Sequence, residues 1–245
     1  MKAVILGATQ GMGRAVARLL AERGARLFLL GRDGEQLARS ARDLEIRGAE
    51  GKVQIVRCDL LDTATFTPAL DAATAELGAF DTVIVTSAMF ATQEELEADP
   101  ELAAKLLLAD FTNTVVFCEE ARRRLLAAGG GTLCVFSSVA GERGRKPVLL
   151  YGAAKAGLSR YLEGLDHKFR AEGLKTVCVK PGFIHTSMTA GLKPPPFAGQ
   201  PSAVAPLVVR AIDRGTPEIY VPPAWRRVMW VIRNLPRRVM RRAKF

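Results

Sequence analysis

Short apolar runs alternate with longer amphipathic stretches along almost the whole chain. Residues 3–6, 26–30, 53–57, 82–86, 131–136, 174–179 and 218–221 are rich in Val, Ile and Leu and read as strands. Helical periodicity covers residues 12–23, 34–47, 64–77, 102–127 and 153–172. Strict alternation of the two predicts a parallel sheet covered by helices on both faces, since strands with no polar face need cover on each side. The expected fold is therefore α/β, a doubly wound parallel sheet of about seven strands of the Rossmann type, with ligands beyond the carboxyl ends of the strands. Three stretches leave the rhythm. Residues 87–101 show no clear pattern, residues 187–201 carry Pro194-Pro195-Pro196 and read as a loop of lid length, and the last segment is basic.

Composition narrows this frame. The chain has 245 residues, 49% of them hydrophobic, with a mean hydropathy of +0.11, enough to build a sizeable core. The apolar run after Met1 is too short for a secretion signal, and no stretch approaches the roughly 18 residues of a membrane span. Four cysteines, Cys58, Cys118, Cys134 and Cys178, lie far apart without metal or redox spacing and are expected to be reduced packing residues of a cytoplasmic protein. With only two histidines, no metal site is expected. Net charge is +10, yet residues 224–245 alone hold eight basic residues (Arg226, Arg227, Arg233, Arg237, Arg238, Arg241, Arg242 and Lys244) and no acidic one, which leaves +2 for residues 1–223.

Candidate chemistry clusters at the strand ends. The first strand runs into Gly7-Ala8-Thr9-Gln10-Gly11-Met12-Gly13 and then a helix. A pyrophosphate needs close backbone approach and the unpaired N–H groups of a helix start, and glycines permit both. Gly7, Thr9, Gln10, Gly11, Met12 and Gly13 are accordingly expected to hold a dinucleotide. The second strand ends in Gly31-Arg32; an arginine there suits the 2′-phosphate of NADP(H), although Asp33 follows immediately. Asp59 and Leu60, after the third strand, are placed for the adenine, with Thr63 as the expected cap of the next helix.

Ser138 closes the fifth strand, and Tyr151 and Lys155 follow 13 and 17 residues later. Tyr and Lys at i and i+4 share a helix face. A free tyrosine, with a pKa of about 10, is a poor acid–base catalyst at neutral pH. A lysine ammonium at about 4 Å favours the phenolate by up to about 4 kcal/mol at an effective dielectric near 20, which is expected to bring Tyr151 toward a working range. Ser138 can hydrogen-bond a substrate oxygen.

Over residues 1–222 this set, with 180–186 reading Lys-Pro-Gly-Phe-Ile-His-Thr, resembles the short-chain dehydrogenase/reductase family. The resemblance implies a carbonyl/alcohol oxidoreductase in which Tyr151 donates the proton, Lys155 orients the ribose and tunes Tyr151, and Ser138 polarises the carbonyl. It also implies that Thr86, Ser87 and Ala88 border the cofactor and that Pro181, Gly182, Ile184 and Thr186 lie against the nicotinamide. His185 is read as a loop residue. Three departures stand out: Leu6 in place of a threonine, Val85-Thr86-Ser87-Ala88 in place of N-N-A-G, and Asp110 in place of the asparagine of the proton relay. Asp110 is expected to hold a water there and to alter the pH profile. A looser likeness, through Ala140-Gly141-Glu142-Arg143, Pro222-Pro223-Ala224 and Leu235-Pro236-Arg237, connects the chain to reductases of decaprenylphosphoryl-2-keto-pentose and of 3-keto sphingoid bases.

The basic end is read as a separate element, residues 223–245 beside a catalytic domain of residues 1–222. On a helical wheel Trp225, Val228, Met229, Val231, Ile232 and Leu235 take one side and Arg226, Arg227 and Arg233 the other, up to Pro236. Such a helix suits the surface of an anionic membrane, which points to a lipid-linked or long-chain substrate. The same helix docked on its own domain or on a second subunit is the competing reading. Nucleic acid is not expected, for want of a recognition motif. The family resemblance implies homo-oligomers built through residues 102–127 and 153–172. Two further functions stay open: reduction of a small soluble carbonyl compound, and a non-catalytic NADP-sensing or scaffold role.

Overall fold

The computed structural model describes residues 1–243. Its sheet has seven strands in the order β3-β2-β1-β4-β5-β6-β7, all parallel: β1 Lys2–Leu6, β2 Arg26–Gly31, β3 Gln54–Arg57, β4 Thr82–Val85, β5 Gly131–Phe136, β6 Leu174–Pro181 and β7 Glu218–Val221. The alternating pattern thus yields the expected doubly wound fold. The order reverses between β1 and β4, and a crevice opens where successive crossovers diverge to opposite faces.

Two cores sandwich the sheet. On one face α1 (Gly11–Glu22), α2 (Gly34–Ile46) and α8 (Pro201–Arg214) bury Val16, Leu20, Leu37, Val204, Val208 and Ile212. On the other, α3 (Phe66–Leu77), α6 (Asn113–Ala127) and α7 (Leu149–Phe169) bury Leu70, Phe117, Leu125, Leu158 and Leu162. Helix α8 is not among the elements predicted, although its buried positions recur at helical spacing and Pro201 opens it where no N–H is needed. Asp62, not Thr63, caps the turn before α3 by accepting from the Ala64 amide.

The patternless stretch contains α4 (Gln93–Ala98), whose Thr92 and Glu95 form a reciprocal capping box too short to show periodicity. The single helix expected over residues 102–127 is broken. α5 (Pro100–Leu107) gives way to a π-helical turn, Leu108–Thr112, before α6 begins. A π turn inserts one residue into the i→i−4 ladder and rotates the residues after it about the helix axis, often at a functional site. Here it turns Asp110 inward.

The basic end forms α9 (Ala224–Asn234) and, after Pro236, α10 (Arg237–Arg242); Lys244 lies outside the described residues. The helix is amphipathic as expected, but Trp225, Met229 and Ile232 of its apolar side are spent within the domain while Val231 stays exposed. Trp225, Met229 and Ile232 are buried in a third cluster with Val139 and Tyr220. The division at residue 223 therefore crosses one packed body. Arg233 adds an ion pair to Glu142 at 3.1 Å.

Candidate active site

The glycine turn follows β1 as the strand leaves the sheet. Gly7 takes φ +102°, and a Cβ there would stand 2.6 Å from the Ser87 hydroxyl. At Gly13 a Cβ would fall 2.2 Å from the Gly7 carbonyl oxygen, so only glycine lets α1 start this close to the strand. Thr86 donates to that same carbonyl at 2.9 Å, which ties the tip of β4 to the turn. The amino end of α1 has no side-chain cap and no acidic residue in its first turn. Its amides and dipole are free for an anion, so the turn fits a pyrophosphate. Gln10 accepts from Ser187 at 2.8 Å and donates to Gln36 at 3.0 Å, bridging the turn to the loop after β6. Thr9 stays in the turn, where its carbonyl accepts from Arg14.

Arg32, Asp59, Leu60, Ser87 and Ala88 line one end of the groove. Asp33 is committed elsewhere: its carboxylate caps α2, and the amides of Gln36 and Glu35 hold it below the usual carboxylate range. Asp59 accepts from the Leu61 amide at 3.0 Å. Asn113, three positions past Asp110 and nearly buried, donates to the Leu60 carbonyl at 2.6 Å and fixes that wall. Only its place in the string Asp-Phe-Thr-Asn could have signalled it.

Ala88 connects this groove to a cavity of about 260 Å³. Met12, Thr86, Ser138, Tyr151, Lys155, Pro181, Gly182, Ile184 and Thr186 line it together, so residues at or after the ends of four strands, β1, β4, β5 and β6, meet at one place. Gly11 takes φ +51° with the Thr186 methyl 3.1 Å from where a Cβ would be. The loop predicted as a lid contributes Met188, Leu192 and Pro195 to the wall. His185 packs its ring on Phe183 at 5.6 Å and is exposed, as a loop residue should be.

Ser138 and Ser137 follow β5 in adjacent positions and do different work. Ser137 is buried and tied to α7, donating to the Lys155 carbonyl at 2.9 Å with the Ser159 hydroxyl at 2.7 Å. Ser138 caps a single turn, Val139–Glu142, by accepting from the Ala140 amide at 3.1 Å, and its hydroxyl also reaches Tyr151, where it favours the phenolate. Tyr151 lies in the first turn of α7 with Phe90 edge-on to its ring at 5.4 Å.

Lys155, 1% exposed, holds its Nζ 5.5 Å from the centre of the Tyr151 ring and 3.4 Å from the Asp110 carboxylate. Asp110 is wholly buried, and its other oxygen accepts from the Met89 amide at 2.6 Å. It is thus a direct counter-ion to Lys155. Burial raises the Asp110 pKa against the opposing pull of Lys155 and the Met89 amide. Burial opposes the ammonium of Lys155, but Asp110, with smaller contributions from Tyr151 and Cys178, raises that pKa on balance.

The consequence for Tyr151 reverses the expectation from spacing. Burial raises its pKa first, Lys155 pulls it down, and Asp110 pushes it up again; the net direction is upward from the ordinary phenol value. Spacing counted the cation and left out burial, which is the largest cause, with the Asp110 charge added to it. The site therefore keeps the phenol protonated at neutral pH, the form that can give a proton to a carbonyl oxygen.

Sequence reading also missed two cavity residues. Trp225 of α9 donates its indole N–H to the Phe197 carbonyl at 3.2 Å and walls the cavity beside Gly182. Arg145, between Ser138 and Tyr151, lines it too, and nothing along the chain singled it out.

Residues 1–196 match the family described as short chain dehydrogenase. An uncharacterized oxidoreductase of Mycobacterium tuberculosis is 34% identical over 239 residues, covering 98% of this chain and 95% of that protein. The cis-4-hydroxycyclohexanecarboxylate dehydrogenase of Sinomonas cyclohexanicum is 32% identical over 193 residues, covering 78% of this chain and 76% of that one. Among solved structures, an actinorhodin polyketide ketoreductase with NADPH shares the fold with a TM-score of 0.81 at 22% identity, over 90% of this chain and 95% of that chain. Ser138, Tyr151 and Lys155 thus line one cavity with Met12 of the glycine turn, on a fold and a sequence that agree with each other, and the chain belongs to the short-chain dehydrogenase/reductase family of oxidoreductases.

Proposed function

We propose that the protein is an NADPH-dependent reductase of a ketone to a secondary alcohol. One observation carries the reading: Ser138, Tyr151 and Lys155 meet in a largely apolar cavity that joins the dinucleotide groove, with the Tyr151 phenol held protonated. NADPH, when bound, supplies the hydride. Ser138 donates a hydrogen bond to the substrate oxygen, Tyr151 gives its phenolic proton to that oxygen, and the Lys155 ammonium, fixed by Asp110, steadies the charge left on the phenol. Phe90, Val148 and Trp225 keep bulk water from the reacting carbon. Choice of the phosphorylated dinucleotide rests on Arg32 in the groove and on Asp33 being committed to its helix cap. The ketoreductase with NADPH and the dehydrogenase of a cyclic secondary alcohol found among similar proteins agree with this reaction class.

Purified protein incubated with NADPH and a panel of ketones should consume the cofactor, and Tyr151→Phe should lower turnover about 10²–10⁴-fold while binding NADPH nearly as well. A Tyr151→Phe variant within a few-fold of the parent would overturn the mechanism. NADPH binding without turnover of any ketone would favour the sensing role.

A second reading, a lipid-linked or long-chain ketone drawn from an anionic membrane, has narrower support than the sequence offered. With Trp225, Met229 and Ile232 inside, the apolar surface that α9 and α10 leave for a bilayer is Trp230, Val231 and Val239, beside the exposed Arg226, Arg227, Arg237 and Arg238. No helix among the described residues is long and apolar enough to cross a membrane. Flotation with phosphatidylglycerol vesicles at low salt tests the idea; an unbound full-length protein removes it.

A further inference from the structure

Arg145 stands seven residues after Ser138 and six before Tyr151, at the start of a short turn, Lys146–Val148, that leads into α7. Its neighbours are held outside. Arg143 donates to the Leu235 carbonyl at 3.0 Å and Lys146 to the Arg241 carbonyl at 2.6 Å, so the C-terminal helices clamp the loop on both sides of Arg145. Arg145 turns the other way and lines the cavity with Ser138 and Tyr151. Its Nε is buried without a hydrogen-bond partner, and no carboxylate among the described residues pairs with it; burial alone lowers its pKa from the ordinary arginine value.

The acids that could have answered it are already engaged. Glu142 accepts from Lys180 at 2.6 Å and Tyr220 at 3.0 Å and pairs with Arg233. Asp110 faces Lys155 and the Met89 amide. The ionisable groups lining the cavity are Arg145, Tyr151 and Lys155, none of them acidic. A half-buried guanidinium whose Nε is shielded from water and which has no counter-charge favours a ligand that supplies one, and its planar fork matches the two oxygens of a carboxylate or phosphate. Lys155 already has its counter-ion. Arg145 does not.

We propose that Arg145 is a specificity-determining residue that receives an oxyanion, carboxylate or phosphate, on the substrate, so that the ketone reduced here carries an anionic group across an apolar body from its carbonyl. The proposal rests on the reductase reading for the word substrate but not for the anion site itself. It separates this cavity from the cofactor groove, where Arg32 and the amino end of α1 serve the dinucleotide phosphates.

Two measurements on the full-length protein test it. The first compares 4-oxocyclohexanecarboxylate with its neutral methyl ester as substrates. The parent should prefer the acid, and Arg145→Met should reduce the acid-to-ester ratio of kcat/KM by about 10- to 100-fold, with Arg145→Lys in between, while NADPH affinity stays put. The second needs no turnover. With NADP⁺ present, calorimetric titration with cyclohexanecarboxylate, cyclohexyl phosphate and cyclohexanecarboxamide should show binding of one or both anions but not of the amide, lost in Arg145→Met. Which anion binds more tightly distinguishes carboxylate from phosphate. Thermal melts check folding, and Arg145→Gln replaces the methionine variant if that one fails to fold.

Anion binding or acid preference that survives in a folded Arg145 variant would overturn the proposal, as would loss of NADPH affinity in that variant. Should no ketone be reduced while anion binding still depends on Arg145, the reductase reading falls and the anion site stands. If neutral ketones are reduced and no anion binds, the reverse holds.

Discussion

Lys155 Nζ lies 3.4 Å from the Asp110 carboxylate and 5.5 Å from the centre of the Tyr151 ring, so the carboxylate has the stronger hold on the ammonium. Reduction needs the protonated phenol. The rate should therefore hold through neutral pH and fall only as pH climbs through the raised Tyr151 value. Asp110→Asn removes the one carboxylate that pushes Tyr151 up and should move that fall to lower pH. It also leaves Lys155 buried without its counter-ion, at a cost of about 3–5 kcal/mol in stability. A pH–kcat/KM profile and a denaturant melt check the two effects separately; an unmoved alkaline limb would show that Asp110 does not act through Lys155 on Tyr151. At the other end of the groove, Arg32→Asp should weaken NADPH and favour NADH, by exchanging a phosphate partner for a hydroxyl acceptor. Equal cofactor preference before and after would assign the choice to another residue.

Among the elements, α9 departs furthest from its sequence reading. An amphipathic helix with arginines on one side is compatible with a membrane, a partner or its own domain, and hydrophobic spacing is the same in all three. The third case is realised for the side bearing Trp225, Met229 and Ile232. Met229→Ala should therefore lower stability by about 2–5 kcal/mol, as for a fully buried core side chain. Trp230→Ala, on the exposed side, should change it by less than about 0.5 kcal/mol. At Gly182 an added Cβ would fall 2.1 Å from the Trp225 indole nitrogen, so Gly182→Ala must displace α9 or the strand tip. Denaturant midpoints rank the three variants; equal effects of Met229→Ala and Trp230→Ala would mean that α9 is not docked as described.

For the whole molecule, the C-terminal helices and the catalytic loop form one structure. Glu142, at the end of the turn that Ser138 caps, gathers Lys180 of β6, Tyr220 of β7 and Arg233 of α9. Lys180 reaches Glu218 as well. Burial opposes the Lys180 charge, yet the two carboxylates raise its pKa above that of ordinary lysine. A raised lysine contributes stability that is complete below the unfolded pKa of about 10.4 and is lost as pH rises beyond it. Removing residues 224–245 should lower the melting temperature and depress reduction of small soluble ketones as much as of vesicle-borne ones, because Arg143 and Lys146 lose their acceptors and the cavity loses its Trp225 wall together. A truncated protein that kept full activity on a soluble ketone would restore the separate-tail reading. We also propose self-association through the segments 102–127 and 153–172, where Leu108 and Phe111 of the π turn and Val116 of α6 are exposed; light scattering should show an oligomer, and Val116→Asp should shift it toward the monomer.

Legibility tracked distance along the chain. Strand and helix periods, the glycine turn and the spacing of Ser138, Tyr151 and Lys155 are short-range features, each set by neighbours within a few residues or by backbone sterics at one turn, and they were enough for fold and family. α8 was legible on the same terms and went unread behind its prolines. What only the tertiary structure decided concerns partners brought together from afar. The Asp110–Lys155 pair spans 45 residues and depends on a π turn that no periodicity announces. Trp225 reaches Gly182 because β7 delivers α9 to the tip of β6. Arg145 is defined by a partner it lacks, and whether an arginine is paired is a property of the space around it, which a one-dimensional string does not carry.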